Sequence, residues 1–290
     1  MPQERSYISF LARDDDYLKG LLVLHYSLQK TKPRYPFLLL AASNLSRRTL
    51  RLLEANNIAV RIIEPINNPF QAWAHEKGVW ENIYSKLSIF DQKEFDKIVY
   101  LDADMLICKN IDELFEKPHM SAVNAGGMLP ELSSWVDLNS GLLVVEPQKV
   151  DAKEMFSEIG KLEVRGPGDQ DFLHAYYPDW PKQRELHLDH KFNMLAEFLD
   201  RYHELFGYQL IRCTTISESE REDEKTVHVV HYIGQGAMKP WRFNDSLVDP
   251  RDVTKVLSPL SLFVRSVRLW RDFYHETLRL RLRERLRLTR

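Results

Sequence analysis

Two carboxylates one residue apart close the apolar run Ile98-Val99-Tyr100-Leu101-Asp102-Ala103-Asp104. The run reads as a strand buried on both faces, and in an open α/β sheet ligands gather at the carboxyl ends of strands. Burying either charge unpaired is costly, so a cation is expected at Asp102 and Asp104. Oxygen ligands suit a hard divalent ion, and such an ion can carry a diphosphate. A second stretch, Val227-His228-Val229-Val230-His231-Tyr232, reads as a buried strand with a His near its end. Ile233-Gly234-Gln235-Gly236 and Lys239-Pro240-Trp241 follow it. A lone His there is more often a packed residue than a ligand. A His, two Gly and a Lys within nine residues read better as a third metal ligand beside a phosphate cradle. A third stretch, Arg165-Gly166-Pro167-Gly168-Asp169-Gln170-Asp171, runs into an apolar helix from Phe172 to Tyr177. It puts Asp169 and Gln170 at a helix N-terminus close to a glycine-rich backbone, either as ligand contacts or as a plain capped start.

The elements that must position these groups alternate. Tyr7 to Ala12 reads as a strand, and a polar turn at Arg13-Asp14-Asp15-Asp16 precedes a helix to Lys30 whose Leu18, Leu21, Leu22 and Leu28 keep helical spacing. Phe37 to Ala42 is a second strand, Ser46 caps a helix through Leu53, and Ala59 to Ile63 is a third strand. This order implies a parallel sheet with right-handed crossovers, a Rossmann-like half. After a loop marked by Asn67-Asn68-Pro69, a helix is expected from about Glu81 to Phe90. Beyond the paired aspartates come a short helical turn, Ile111 to Phe115, capped by Asn110, and a return to the sheet at Ser121 to Asn124. Gly126 to Leu138 reads as a loop, Gly141 to Glu146 as a strand, and Asp151 as the cap of a helix to Leu162.

With 290 residues, 44% hydrophobic and 28% charged, the chain can bury a full core. Its formal charge of -2 gives no reason to expect nucleic acid, but the charge is segregated. From Ser258 to Arg290 nine Arg face three acids, Asp272, Glu276 and Glu284, so this tail carries about +6 and the remainder about -8. Within it Leu260, Phe263, Val267, Trp270, Tyr274, Leu278, Leu282 and Leu286 recur every three or four residues. Such a helix suits an anionic membrane surface, or packing on its own domain or a partner. Cys108 and Cys213 match no disulfide framework or zinc spacing and read as buried thiols. No signal peptide is visible, and no stretch has the roughly 20 apolar residues a membrane helix needs. The expected location is cytoplasmic, peripheral on the inner face of a membrane.

The ordered series Leu11, Asp15 and Tyr17; Lys86; Tyr100-Leu101-Asp102-Ala103-Asp104; Asn110-Ile111-Asp112-Glu113-Leu114-Phe115; Leu138-Asn139-Ser140-Gly141; Gly168-Asp169-Gln170-Asp171; Phe192-Asn193; and His231-Tyr232-Ile233-Gly234 with Lys239-Pro240-Trp241 resembles glycosyltransferase family 8. That family holds glycogenin, galactinol synthase and the bacterial lipooligosaccharide galactosyltransferases. The resemblance implies a GT-A fold: a single Rossmann-like nucleotide-sugar-binding α/β domain with a mixed central sheet, over residues 1–257, followed by the amphipathic tail 258–290. It implies a UDP-sugar donor, UDP-glucose or UDP-galactose, and Mn2+ with Mg2+ as the alternative ion. Transfer to a glycan or glycolipid acceptor would retain the α configuration. By the same resemblance Asp102, Asp104 and His231 bind the metal, and Gly234 and Lys239 hold the diphosphate. Leu11, Asp15 and Tyr17 enclose the uracil, and Lys86, Asp102, Ala103, Asn139, Ser140, Asp169 and Gln170 surround the donor sugar. Asp169 and Gln170 are assigned to binding and transition-state stabilisation at the reacting carbon. Glycogenin's self-glucosylated tyrosine has no clear equivalent, since Tyr202 and Tyr208 lie in a divergent region. Trp135 and Trp180 are candidate sugar-stacking platforms.

Two other classes fit parts of the pattern. An Asp-x-Asp after a buried strand also begins the phosphatases whose first Asp is a nucleophile, although that pattern opens the first strand of its domain. A non-catalytic nucleotide-sugar-binding or scaffold protein would keep the fold with a decayed site, whereas both aspartates, His231 and Lys239 are present here.

Overall fold

The computed structural model describes residues 4–13, 17–70, 82–210, 225–234, 238–244 and 261–288, the last nine of these by backbone alone. The chain opens with β1 (Arg5–Leu11), α1 (Tyr17–Lys30), β2 (Phe37–Ala42), α2 (Arg47–Glu54) and β3 (Ala59–Ile63). β4 (Lys97–Leu101) follows, then β5 (Met105–Ile107), β6 (Leu142–Val145), α3 (Ala152–Ser157) and α4 (Asp169–Tyr176). β7 (Met194–Leu195), α5 (Leu199–Phe206), β8 (Val229–His231) and α6 (Leu262–Leu288) complete it.

The main sheet runs β3-β2-β1-β4-β6, parallel except for β6, which lies antiparallel to β4. Its other strands are largely apolar on both faces because both are covered, whereas edge strand β3 leaves Ala59 and Ile62 exposed. Tyr7, Leu11, Val99 and Leu101 meet Leu21, Leu24 and Leu28 of α1. Ile8, Ile98 and Tyr100 meet Phe90, Met155 and Phe172 on the other side. Ser46 caps α2 through its hydroxyl, which accepts from Thr49 N–H at 3.2 Å. In a second sheet, β5-β8-β7, β8 is the strand expected within Val227 to Tyr232, whereas β5 and β7 are only three and two residues long and had no sequence signal beyond short apolar runs.

Several boundaries differ from expectation. The helix expected over Glu81 to Phe90 is a 3-10 helix, Ile83–Asp91, in which Tyr84 to Phe90 are all buried. Asn110 supports its turn by accepting from Asp112 N–H, but that turn too is 3-10 and spans Asp112–Glu116. Ser121 to Asn124 makes isolated bridges to Val144, His187 and Leu138 in place of a strand. α3 stops at Ser157, short of Leu162, and Gly160 just beyond it sits at φ +83°. α4 begins at Asp169, three residues before the first apolar residue, because the Asp171 carboxylate accepts from Gly168 N–H at 3.1 Å.

The described part of the basic tail is one helix, Leu262–Leu288. Asp200 anchors its start, accepting from Leu262 N–H and from the Ser261 hydroxyl, each at 2.7 Å. Phe263, Val267, Trp270 and Phe273 are buried in a third core cluster that also holds Tyr202 of α5, Val230 of β8 and Val23 of α1. The Leu and Arg alternation from Leu278 to Leu288 continues the helix, as two good helix formers should. Its first half therefore packs on its own domain, and Leu278 is exposed. Trp270→Ala should lower unfolding stability by about 3–5 kcal/mol in a urea titration. A loss below about 1 kcal/mol would mean that this face of α6 contributes little to the core.

Candidate active site

The paired aspartates are the joint between the two sheets. β4 ends at Leu101, Asp102 N–H donates to Gly141 O at 2.8 Å, and the chain re-enters a sheet at Met105. Register then does the positioning. Met105 pairs with His231, and Tyr232 N–H donates to Asp104 O at 3.1 Å, so the imidazole comes in beside Asp104. Leu101 pairs with Leu142, which brings Asn139, Ser140 and Gly141 up to Asp102. Two glycines make room. A Cβ on Gly141 would lie 2.3 Å from His231 Cε1, and a Cβ on Gly20 would lie 2.5 Å from the Ala103 carbonyl, under which α1 passes.

Lys86, projecting from the 3-10 helix and buried, holds two carboxylates together. Its ammonium is 3.1 Å from Asp102 Oδ1 and 2.7 Å from Asp169 Oδ2, and it donates to Ser140 Oγ at 3.1 Å. Burial opposes its charge, but Asp102 and Asp169 outweigh burial and raise its pKa above the ordinary lysine value. Asp102 also accepts from the Tyr100 hydroxyl at 2.7 Å. Burial pushes the Asp102 carboxyl up despite Lys86, and the neighbouring charge of Asp104 adds to this. Asp104 goes the other way: burial is overcome by the Lys239 ammonium, which donates to Oδ2 and holds this carboxyl below the usual carboxylate range. Asp169 Oδ2 accepts from Ser140 Oγ at 2.9 Å, and Gln170 Oε1 accepts from Ser140 N–H at 3.0 Å.

The orientation of His231 follows from a chain of amides. Asn139 Oδ1 accepts from Gly141 N–H at 2.9 Å, which fixes that amide; Asn193 Nδ2 donates to the same oxygen at 3.0 Å. Asn193 therefore turns its oxygen to His231 Nδ1, 2.9 Å away, and Nδ1 carries the proton. In the neutral ring Nε2 is then a lone pair, aimed at Asp104 Oδ1 at 3.3 Å and Asp102 Oδ2 at 3.8 Å. Asp104 Oδ1 is buried with no hydrogen-bond donor. Three lone-pair groups that converge without a proton between them fit a metal ion, and the Asn139-Asn193-His231 chain is the outer shell that metal-bound imidazoles use.

Leu11, Tyr17, Lys86, Asp102, Ala103, Asp104, Asn139, Ser140, Asp169, Gln170, His231, Gly234 and Lys239 line one cavity of about 400 Å³. Asp15 lies outside the described residues, as does Gly236. Trp135 also lines the cavity, its indole 38% exposed at the edge. Trp180 is not a platform: it is buried, donates through Nε1 to Met120 O at 2.8 Å and stacks on His187. Tyr202 and Tyr208 are buried too, with Tyr202 Oη accepting from Met128 N–H and Tyr208 Oη donating to Asp189. Sequence reasoning had given no part to Asn193, Tyr100 or Gly141. The Phe192-Asn193 pair was visible, but its link to His231 depends on a contact 38 residues apart.

Residues 8–127 match the family model for glycosyl transferase family 8. Inositol phosphorylceramide glucuronosyltransferase 1 of Arabidopsis thaliana is 30% identical over 240 residues, 81% of this chain but 42% of the longer relative. Galactinol synthase 6 of Arabidopsis thaliana is 25% identical over 305 residues, 94% of this chain and 82% of its own. Among solved structures, the galactosyltransferase LgtC in complex with donor and acceptor sugar analogs superposes with a TM-score of 0.57 at 16% identity, covering 93% of this chain and 95% of that one. The architecture is accordingly the GT-A fold.

Lys86 is the group on which the buried charges depend. Lys86→Met should cost about 3–5 kcal/mol of stability, since Asp102 and Asp169 would be left facing each other without their cation. Guanidinium denaturation checks this; an unchanged midpoint would show that solvent reaches the pair.

Proposed function

Because the chain belongs to glycosyltransferase family 8, we propose that it is a metal-dependent, retaining hexosyltransferase that moves glucose or galactose from a UDP-sugar to a glycan or lipid-linked oligosaccharide. That it is a glycosyltransferase follows from the family; the metal, the stereochemistry and the substrates are our reading. The observation that supports it is the convergence of Asp102, Asp104 and His231 on one point, where Asp104 Oδ1 is buried with no donor.

Asp102, Asp104 and His231 would hold Mn2+, with Mg2+ as the alternative. The bound ion supplies positive charge where the leaving diphosphate becomes negative. Lys239 and the Gly234 backbone would hold that diphosphate, and Leu11, Asp15 and Tyr17 would enclose the uracil. Lys86, Asp102, Ala103, Asn139, Ser140, Asp169 and Gln170 would surround the hexose. Retention needs a carboxylate nucleophile or attack by the acceptor on the face the leaving group departs. Asp169 Oδ2 is occupied by Lys86 and Ser140, and Gln170 Oε1 by a backbone N–H, so both side chains are held to orient the sugar and stabilise developing charge. This favours attack by the acceptor hydroxyl on the departing face.

The reading also takes the enzyme to be cytoplasmic and peripheral on an anionic membrane face through residues 258–290. The buried first half of α6 leaves that contact to its arginine-rich end.

Of UDP-glucose, UDP-galactose and UDP-glucuronate, one of the first two should give UDP and free sugar, stimulated by Mn2+ and abolished by EDTA or by Asp104→Asn, and turnover of UDP-glucuronate alone would replace the donor proposed. Turnover indifferent to EDTA would defeat the metal reading. Phosphate release from small phosphoesters would point to a phosphatase, and UDP-sugar binding without turnover to a scaffold. For the membrane contact, deleting the tail would strip Trp270 from the core. The informative variant changes Arg281, Arg283, Arg285 and Arg287 to Gln. It should stop flotation with phosphatidylglycerol vesicles and leave hydrolysis intact; flotation equal to wild type would remove the membrane contact from the proposal.

A further inference from the structure

Lys239, the residue assigned to the diphosphate, is already paired with a residue assigned to the metal. Its ammonium donates to Asp104 Oδ2 and to the Tyr232 carbonyl, and it lies 5.0 Å from the centre of the Tyr17 ring. Both partners of the ion pair are buried. Lys86 differs in its surroundings: two carboxylates and both oxygens of Ser140 enclose it.

Charge in this cluster restricts what can enter. Asp102, Asp104 and Asp169 face Lys86 and Lys239, which leaves one negative charge in excess. A divalent cation alone would reverse the sign and would sit beside the Lys239 ammonium, in surroundings where an uncompensated charge is expensive. The diphosphate of a nucleotide sugar, esterified at both ends, would alone add two negative charges to an excess of the same sign, and that of a free nucleoside diphosphate nearer three. Arriving together, the cation and the diphosphate leave the net charge as it was.

We propose that Lys239 is an internal counter-ion which Asp104 gives up to the incoming diphosphate, so that metal and nucleotide load as a pair and each binds weakly alone. This deepens the reading above and rests on it. Lys239 would then do two things with one ammonium: neutralise Asp104 before the ligands arrive, and neutralise phosphate afterwards. The binding of each ligand helps the other by the same factor, because release of Lys239 from Asp104 is required by both.

Binding measurements test this without turnover. By Mn2+ paramagnetic resonance with no nucleotide present, Lys239→Met should bind Mn2+ about tenfold more tightly than wild type, and UDP in the presence of Mn2+ should bind about tenfold more weakly. Lys239→Arg, which keeps the charge, should keep weak Mn2+ binding. A second pair of variants serves if Lys239→Met does not fold. In EDTA, Asp104→Asn should strengthen UDP binding about tenfold, having freed Lys239, while Asp102→Asn, which removes an equal charge without touching Lys239, should strengthen it less. Mn2+ affinity unchanged or reduced in Lys239→Met, or equal effects of the two Asp→Asn changes, would overturn the proposal. Wild-type protein that binds neither Mn2+ nor UDP, even together, would overturn the functional reading with it. Normal joint binding without the expected shifts would overturn the counter-ion role alone.

Discussion

Three carboxylates drawn into one buried cluster set the terms for the rest of this structure. Asp102, Asp104 and Asp169, the last two buried and the first partly so, cannot share one cavity unless cations share it with them, and the chain supplies two, Lys86 and Lys239. Each comes from a different part of the fold. Lys86 arrives on a 3-10 helix between two strands of the main sheet, and Lys239 follows the last strand of the small one. The cluster therefore forms only when both sheets have met, and its electrostatics depend on the packing that joins them.

The two sheets give the site its stiffness. Asp102 is fixed through its backbone to Gly141 and through its side chain to Tyr100 and Lys86. His231 is fixed by strand register on one side and by Asn193 on the other. These restraints hold Asp104 Oδ1 and His231 Nε2 in place, the carboxylate oxygen with no donor of its own. Ligand atoms fixed in this way are preorganised for a cation.

Much of this was legible in the sequence. The runs at β1, β2, β3 and β4 are short, mostly apolar and separated by turn residues, so they could be read with bounds close to those observed. The cavity was legible through the motifs at its strand ends, because a motif states residue type and order. What escaped was tertiary in origin. The 3-10 helix at Ile83–Asp91 is buried all round and so has no amphipathic stripe to read. β5 and β7 are too short to show a period, and Asn193 gains its part only from a contact with a strand 38 residues later. Trp135 and Trp180 look alike in sequence; burial alone separates the cavity-lining indole from the core one.

The C-terminal helix shows how one amphipathic pattern can belong to the site as well as to the surface. From the cavity, the Tyr17 ring meets Trp241 at 5.3 Å, Trp241 meets Trp270 at 5.7 Å, and Trp270 stacks on Tyr274 at 5.4 Å. Arg271 adds a donor to the Phe243 carbonyl, just after Lys239-Pro240-Trp241. The composition changes at residue 258, yet α6 beyond it packs on the domain and backs the segment that carries Lys239. An arginine-rich helix that only bound a surface would have no need of a buried Trp. One that packs behind Trp241 needs large rings in its first half and is free to be charged in its second, which is the order in which this sequence places them.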